Sequence, residues 1–247
     1  MKGLSVATAA LVCLSVLLAA LGAAGGAVRS AAVDETLYGA QSRRAVADAL
    51  GLSSEAEVTA YIGLDAQAQE TLAASIAAGM AAEASDFALE PLNERERAHL
   101  GDVHALVLLA QRAAQLCVGI AAGLAVAAAW TGARLAKRRR AALAGGALAL
   151  ALIALLAGGL LLTVRSGGFD AAFIRLHELL FTNDLWLMDP ATDVLIRMMP
   201  QRLFERAALS VAARAGAAFG LICALLAAVY AMVGGMIRRN LSEREQA

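Results

Sequence analysis

Four stretches of this chain hold no Asp, Glu, Lys or Arg: Gly3–Val28, Ala113–Ala133, Ala141–Val164 and Ala215–Ile237. Each is at least as long as the roughly 20 apolar residues that a helix needs to cross a bilayer core. All four are rich in Ala and Gly, the small residues that let membrane helices approach closely. With 60% of its 247 residues hydrophobic and 17% charged, the chain is too apolar for an ordinary soluble domain. The expectation is an all-α membrane protein of four transmembrane helices, with a mainly helical extracytoplasmic cap made from two outer loops. Lys2 and "AAGGAVRSAAV" resemble the ends of a secretory signal, but the apolar run between them is longer than a usual signal core. The reading adopted is an uncleaved first helix.

Orientation follows from the short basic segments. "RLAKRRR" at Arg134–Arg140, "IRRN" after the fourth run and Lys2 before the first place those segments in the cytoplasm. The expected order is then helix 1 over 3–28, outer loop 1 over 29–105, helix 2 over 106–133 and a basic cytoplasmic loop over 134–140. Helix 3 over 141–164, outer loop 2 over 165–210, helix 4 over 211–237 and a cytoplasmic tail over 238–247 complete it. The basic run reads as a topology signal and a contact for phospholipid headgroups, and nothing points to nucleic acid. Cys13, Cys117 and Cys223 lie inside the expected spans without CxxC spacing and read as small packing residues. The chain has no phosphate-binding glycine loop, no HExxH and no GxSxG elbow.

Loop 1 carries two helical signals. In "LSSEAEVTAYIGL", Ser53 or Ser54 can cap a helix whose first turn is acidic. In "DAQAQETLAASIAAGM", Leu72, Ile76 and Met80 fall four apart on one face. The end of the loop differs in kind. "PLNERERAHLGDVHALVLLAQR" brings His99, Asp102 and His104 just before helix 2. If it is helical, His99 and Asp102 are i,i+3 neighbours, close enough for a carboxylate to orient an imidazole. Loop 2 brings His177 with Glu178, Asn183, Asp184, Trp186, Asp189 and Asp193 in "FIRLHELLFTNDLWLMDPATDVLIRMMP". All three histidines of the chain therefore fall outside, near expected membrane interfaces. Taken singly, each of these residues has an ordinary role: interfacial anchor, packing aromatic, turn at Asp189-Pro190, or local ion pair for Arg175 and Arg197.

Their order along the chain narrows the choice. An acidic and polar run leading into His-x-x-Asp-Val before the second span, "NERERAHLGDV", is one signature. Phe-x-Asn-Asp-x-Trp-x-x-Asp-Pro-x-x-Asp-x-Leu-Ile, entered from "FIRLHELL" and closed by a proline and Phe204, is the other. With four spans, the loop order and "SSEAEVTAYIGL", the chain resembles the lipoprotein intramolecular transacylase family of bacterial membrane enzymes over nearly its whole length. It departs from that pattern in its Ala-rich first loop and in His104, which rivals His99 as a working base.

The resemblance implies a reaction and a substrate. The sn-2 acyl chain of a diacylglyceryl-cysteine lipoprotein moves to the free α-amine of the same cysteine, giving the lyso-form. It implies a multi-pass enzyme of the bacterial cytoplasmic membrane, its site facing the extracytoplasmic side. Such a shift takes its nucleophile from the substrate, so the enzyme needs no serine or cysteine of its own. It needs proton transfer, which histidine supplies near neutral pH. His99 and His177 are the expected catalytic pair. Asp102 would orient His99, Asn183 or Arg175 would donate to the oxyanion, and Asp184, Trp186, Asp189 and Asp193 are supporting candidates. No cofactor and no metal is expected; the partners are the diacylated lipoprotein and membrane phospholipid. Two other readings stand beside it. His99, His104, His177 and a carboxylate could hold zinc in a membrane hydrolase, although HxxxH and HxH spacings are missing. Alternatively, the cap could serve a non-enzymatic adaptor or sensor.

Overall fold

A computed structural model describes residues 2–132, 136–166 and 168–246. Ten helices and no strand occur among them. They are α1 (Lys2–Ala32), α2 (Glu35–Tyr38), α3 (Ala40–Leu50), α4 (Glu55–Ile62), α5 (Ala66–Ala81), α6 (Glu94–Gly132), α7 (Ala136–Arg165), α8 (Phe169–Leu180), α9 (Val194–Met198) and α10 (Gln201–Gln246). Four of them, α1, α6, α7 and α10, are long and apolar enough to cross a membrane, as the charge-free runs require.

Helix boundaries run past the charge-free cores. α6 starts at Glu94 rather than near 106 because Asn93 and Glu96 form a reciprocal cap. The Glu96 N–H donates to Asn93 Oδ1 (3.1 Å), and the Asn93 N–H donates to Glu96 Oε2 (2.8 Å). α10 begins directly after Pro200 and meets no further proline, so it absorbs the segment 201–210 and most of 238–247. Of the expected basic loop 134–140, residues 134–135 lie outside the described residues, and from Ala136 the backbone is already helical in α7.

The chain divides into two compact units, the first comprising 1–26, 112–161 and 213–247. Here α1 and α6 run antiparallel, in a register set by small and hydroxyl residues. Thr8 Oγ1 meets Thr131 Oγ1 (3.2 Å), and Ser15 Oγ donates to the Ala121 carbonyl (2.8 Å). Near Gly22, a Cβ would fall 3.2 Å from the Ala114 carbonyl oxygen. Buried alanines, among them Ala19, Ala23, Ala121 and Ala128, fill the seam. Leucines such as Leu155 and Leu156 stay exposed, as suits helices whose solvent is hydrocarbon. The tightest approach is at Gly145 of α7, where a Cβ would sit 2.1 Å from the Ala9 carbonyl oxygen and 2.9 Å from its carbon. Because the obstacle is backbone, Gly145→Ala is expected to cost about 1–3 kcal/mol and to lower the thermal unfolding temperature of purified protein. Gly158→Ala, which meets nothing within 4 Å, serves as the neutral comparison.

The second unit comprises 27–111 and 162–212. Leu72, Ile76 and Met80 of α5 are buried, as their spacing requires, with Val46, Ile62 and Met198 among the residues of one apolar core. Ser54 is the residue that caps α4. Its Oγ accepts the Glu57 N–H (3.2 Å), and Glu57 accepts the Ser54 N–H in return (3.0 Å). Arg29 closes the unit at one end by donating to Gln111 Oε1 (2.7 Å), to the Ala81 carbonyl (2.8 Å) and to the Met80 carbonyl. It thereby neutralises the last carbonyls of α5. Arg197, an expected partner for nearby acids, donates instead to the Ile62 and Pro190 carbonyls (3.1 and 3.2 Å).

Candidate active site

The second unit contains an imidazole packed among aromatic rings. α8 carries Phe169, Phe173 and His177 four residues apart, hence on one face. Phe181 follows at the helix end, its N–H donating to the His177 carbonyl (2.9 Å). The His177 ring centroid lies 4.1 Å from Phe173, 5.1 Å from Trp186 and 5.5 Å from Phe181. Phe173 is itself braced by Phe204 at 5.0 Å and Phe169 at 6.0 Å. His177 Nδ1 lies 2.8 Å from the Phe173 carbonyl oxygen. A carbonyl only accepts, so Nδ1 carries the proton and, in the neutral ring, the lone pair is on Nε2.

His99 of α6 is the second histidine of the site. Its centroid is 6.4 Å from that of His177, with the rings 28° from parallel, and 5.2 Å from Phe181. At 6.4 Å between ring centres the two imidazoles are near enough to act on one bound group. Only 9% of His99 is exposed, and its Nδ1 is buried with no hydrogen-bond partner. A lone pair left bare costs less than a bare N–H, which favours the tautomer with the proton on Nε2.

His99 precedes the charge-free run of α6, which starts at Ala113, by roughly 20 Å of helix. Burial pushes its pKa down to about 4, His177 pushes the same way, and Asp102 opposes both. Between about 6.5 and about 4, the unfolded chain therefore holds a proton at this residue that the folded chain does not. This contribution to stability is complete above 6.5 and is lost as pH falls through that window. Thermal unfolding followed against pH is expected to show it as a decline that His99→Ala makes shallower.

The expected partner of His99 is engaged elsewhere. Asp102 Oδ2 accepts from Asn183 Nδ2 (2.9 Å), while Asn183 Oδ1 accepts the Leu185 N–H (3.1 Å). Asp102 thus acts on His99 through its charge and on the 181–187 loop through a hydrogen bond. Asn183 is thus engaged at both ends of its amide, by Asp102 of α6 and by the Leu185 N–H of its own loop, which leaves it badly placed as an oxyanion donor. Arg175 pairs with Glu178 (2.9 Å) and keeps 83% of its side chain exposed. Asp189 and Asp193 build the turn at Pro190. Asp193 Oδ2 accepts the Asp189 N–H (2.8 Å), and Asp189 Oδ1 accepts the Ala191 N–H (2.9 Å). Burial works to raise the Asp193 pKa, but the Asp189 N–H, Asn93, Thr192 and the charge of Arg95 outweigh it, and the net shift is downward. Asp184 is exposed, and its backbone carbonyl accepts from Arg95 (3.1 Å). His104 donates Nε2–H to the Ala82 carbonyl (3.0 Å) and meets Phe87 edge-on at 5.7 Å. Among the described residues, no group of three His, Cys, Asp or Glu side chains could hold a metal ion.

Residues that sequence reasoning passed over tie the two signatures together. Asn93 Nδ2 donates to Asp193 Oδ1 (2.7 Å), Arg95 donates to the carbonyls of Asp184 and Leu187, and Glu96 Oε1 accepts the Leu195 N–H (2.6 Å). With Asp102 and Asn183, these contacts clamp the loop that carries Trp186 onto the first turns of α6. Asn-x-x-Glu before an apolar run is itself a legible capping signal, and the four-residue stripe Phe169–Phe173–His177–Phe181 was open to view.

Three comparisons bear on this site. The family model described as lipoprotein intramolecular transacylase Lit matches residues 27–204, which include every residue just discussed. A solved structure of the membrane-integral lipoprotein intramolecular transacylase Lit from Bacillus cereus superposes with a TM-score of 0.62 at 18% identity, covering 93% of this chain and 96% of that one. A histidine-to-arginine variant of the same protein gives 0.58 at 20% identity, covering 94% and 93%. At such identities the structural likeness is one of fold. No curated protein sequence matches the chain.

Proposed function

The chain belongs to the lipoprotein intramolecular transacylase family, and from that premise we propose that His99 and His177 move the proton in an ester-to-amide shift at the extracytoplasmic face of the bacterial cytoplasmic membrane. The substrate is a diacylated lipoprotein, whose cysteine α-amine attacks the carbonyl of its own sn-2 ester. The bond from carbonyl carbon to nitrogen forms and the bond to the sn-2 oxygen breaks. One proton passes from nitrogen to that oxygen, so none is gained or lost overall.

The observation that carries this reading is the arrangement of complementary ring nitrogens. His177 Nε2 holds a lone pair because Nδ1 is committed to the Phe173 carbonyl, so it can take the proton of the attacking amine. His99, kept neutral by burial, offers Nε2–H to the oxygen that gains negative charge. A neutral imidazole used as an electrophile in this way has precedent in enzyme sites. Amine and ester arrive on one molecule, so their effective concentration is high and the enzyme's work is orientation and proton transfer.

Access from the lipid side fits the surface of α8. Leu176, Leu179 and Leu180 are exposed beside His177, Leu179 to 81%. This apolar face suits the outer leaflet, where the acyl chains of the substrate lie. Purified protein incubated with a diacylglyceryl-cysteinyl peptide tests the reading. Because the shift leaves the mass unchanged, the two positions are told apart in tandem mass spectrometry by loss of the glyceryl thiol, which should leave the acyl chain on the amine of an N-acyl-dehydroalanyl peptide. An acyl chain that stays on the glycerol would contradict it.

A further inference from the structure

We infer, resting on the reading above, that Phe181 and Trp186 decide the fate of the acyl chain by keeping water from His177, so that the ester is transferred to the amine and not hydrolysed. The two outcomes share a carbonyl and a leaving oxygen. In transfer, nitrogen bonds to the carbonyl carbon, the bond to the sn-2 oxygen breaks, and that oxygen takes the proton shed by nitrogen. In hydrolysis, a water oxygen forms the new bond, the same bond breaks, the sn-2 oxygen takes a proton from water, and a fatty acid leaves while the amine stays free. A base able to take a proton from the amine can take one from water. The tethered amine already has the higher effective concentration, and exclusion of water suppresses the competing course.

The rings are placed to do this. His177 has one free nitrogen, Nε2, since Nδ1 is bonded to the Phe173 carbonyl. Phe173, Trp186 and Phe181 surround the imidazole at 4.1, 5.1 and 5.5 Å. Phe181 touches both histidines, lying 5.2 Å from His99 as well, and therefore borders the gap in which the reacting atoms would sit. Apart from the indole N–H, these side chains offer a water molecule nothing to bond. Neither Phe181 nor Trp186 is fully buried, so neither is a core residue that the fold needs. Trp186 is instead held from outside, by Asn183 on Asp102 and by Arg95 on the carbonyls to either side of it. That is a costly arrangement for a ring that only fills space.

The test uses full-length protein, a synthetic diacylglyceryl-cysteinyl peptide and water enriched in heavy oxygen. It reads two products together: N-acyl peptide, from fragment ions, and heavy-labelled fatty acid with its mono-O-acyl peptide. His177→Ala supplies the background. Wild type should give almost only N-acyl product. Phe181→Ala and Trp186→Ala should raise the ratio of hydrolysis to transfer by on the order of tenfold, with Phe181→Val between, while Phe181→Leu and Trp186→Phe keep the wild-type ratio. Loss of folded protein lowers both products and leaves the ratio alone. Alanine variants at the wild-type ratio, or variants that yield neither product, overturn the inference. A wild type that makes no N-acyl product overturns the reading beneath it instead.

Discussion

Replacing His177 with alanine is expected to slow acyl transfer by on the order of 10²–10⁴-fold, with wild-type amounts of protein in the membrane. The ring is half-buried and sits at the surface of the second unit, against Phe173, Phe181 and Trp186, so its loss opens a shallow space and not a core cavity. His99→Ala should fall in the same range, but with some loss of stability at neutral pH because that ring is buried. Initial rates of N-acyl formation, divided by the quantity of folded protein, separate chemistry from folding. A His177→Ala protein that is abundant and fully active would remove the proposed base.

The largest effect on folding is expected at Glu96, which is 1% exposed. Its two oxygens accept the Leu195 N–H (2.6 Å) and the Asn93 N–H (2.8 Å). Glu96→Ala leaves both donors without an acceptor. Losing hydrogen bonds to a charged group costs about 1.5–3 kcal/mol each, so the variant should unfold at markedly lower temperature and detach α9 from the start of α6. Glu96→Gln keeps one carbonyl oxygen and should lose about half as much. Because Glu96 touches no ring of the site in the described contacts, the surviving Glu96→Gln molecules should transfer at the wild-type rate. A rate deficit without a stability deficit would instead place Glu96 in the chemistry.

How far the sequence could be read depends on how local each signal is. Absence of charge over a span is a property of consecutive residues, so the four long helices were legible. So were the Leu72, Ile76 and Met80 face and a cap at Ser53 or Ser54, because helical period and capping act within a few residues. The histidine pair emerged only through the family pattern, since residues 99 and 177 have no spacing relation to each other. Asp102 shows where local reasoning ends. The i,i+3 spacing correctly put it near His99, close enough to act on its pKa, but its hydrogen bond goes to Asn183 across 81 positions of sequence. Spacing tells which groups share a face; it does not tell which of them turn toward another segment. The same limit hid the clamp that Asn93, Arg95 and Glu96 make, whose contacts to Asp193, Asp184, Leu187 and Leu195 all lie far along the chain.

The central claim is that the two histidines act as one device, and a double-variant comparison tests it most directly. Transfer rates of His99→Ala, His177→Ala and the double variant would be measured on the same substrate with equal amounts of folded protein. Residues that work as a unit give non-additive losses, so the double variant should be no slower than the slower single variant. Losses that multiply, or one single variant at the wild-type rate, would show that the two rings do not share the proton and would contradict the account.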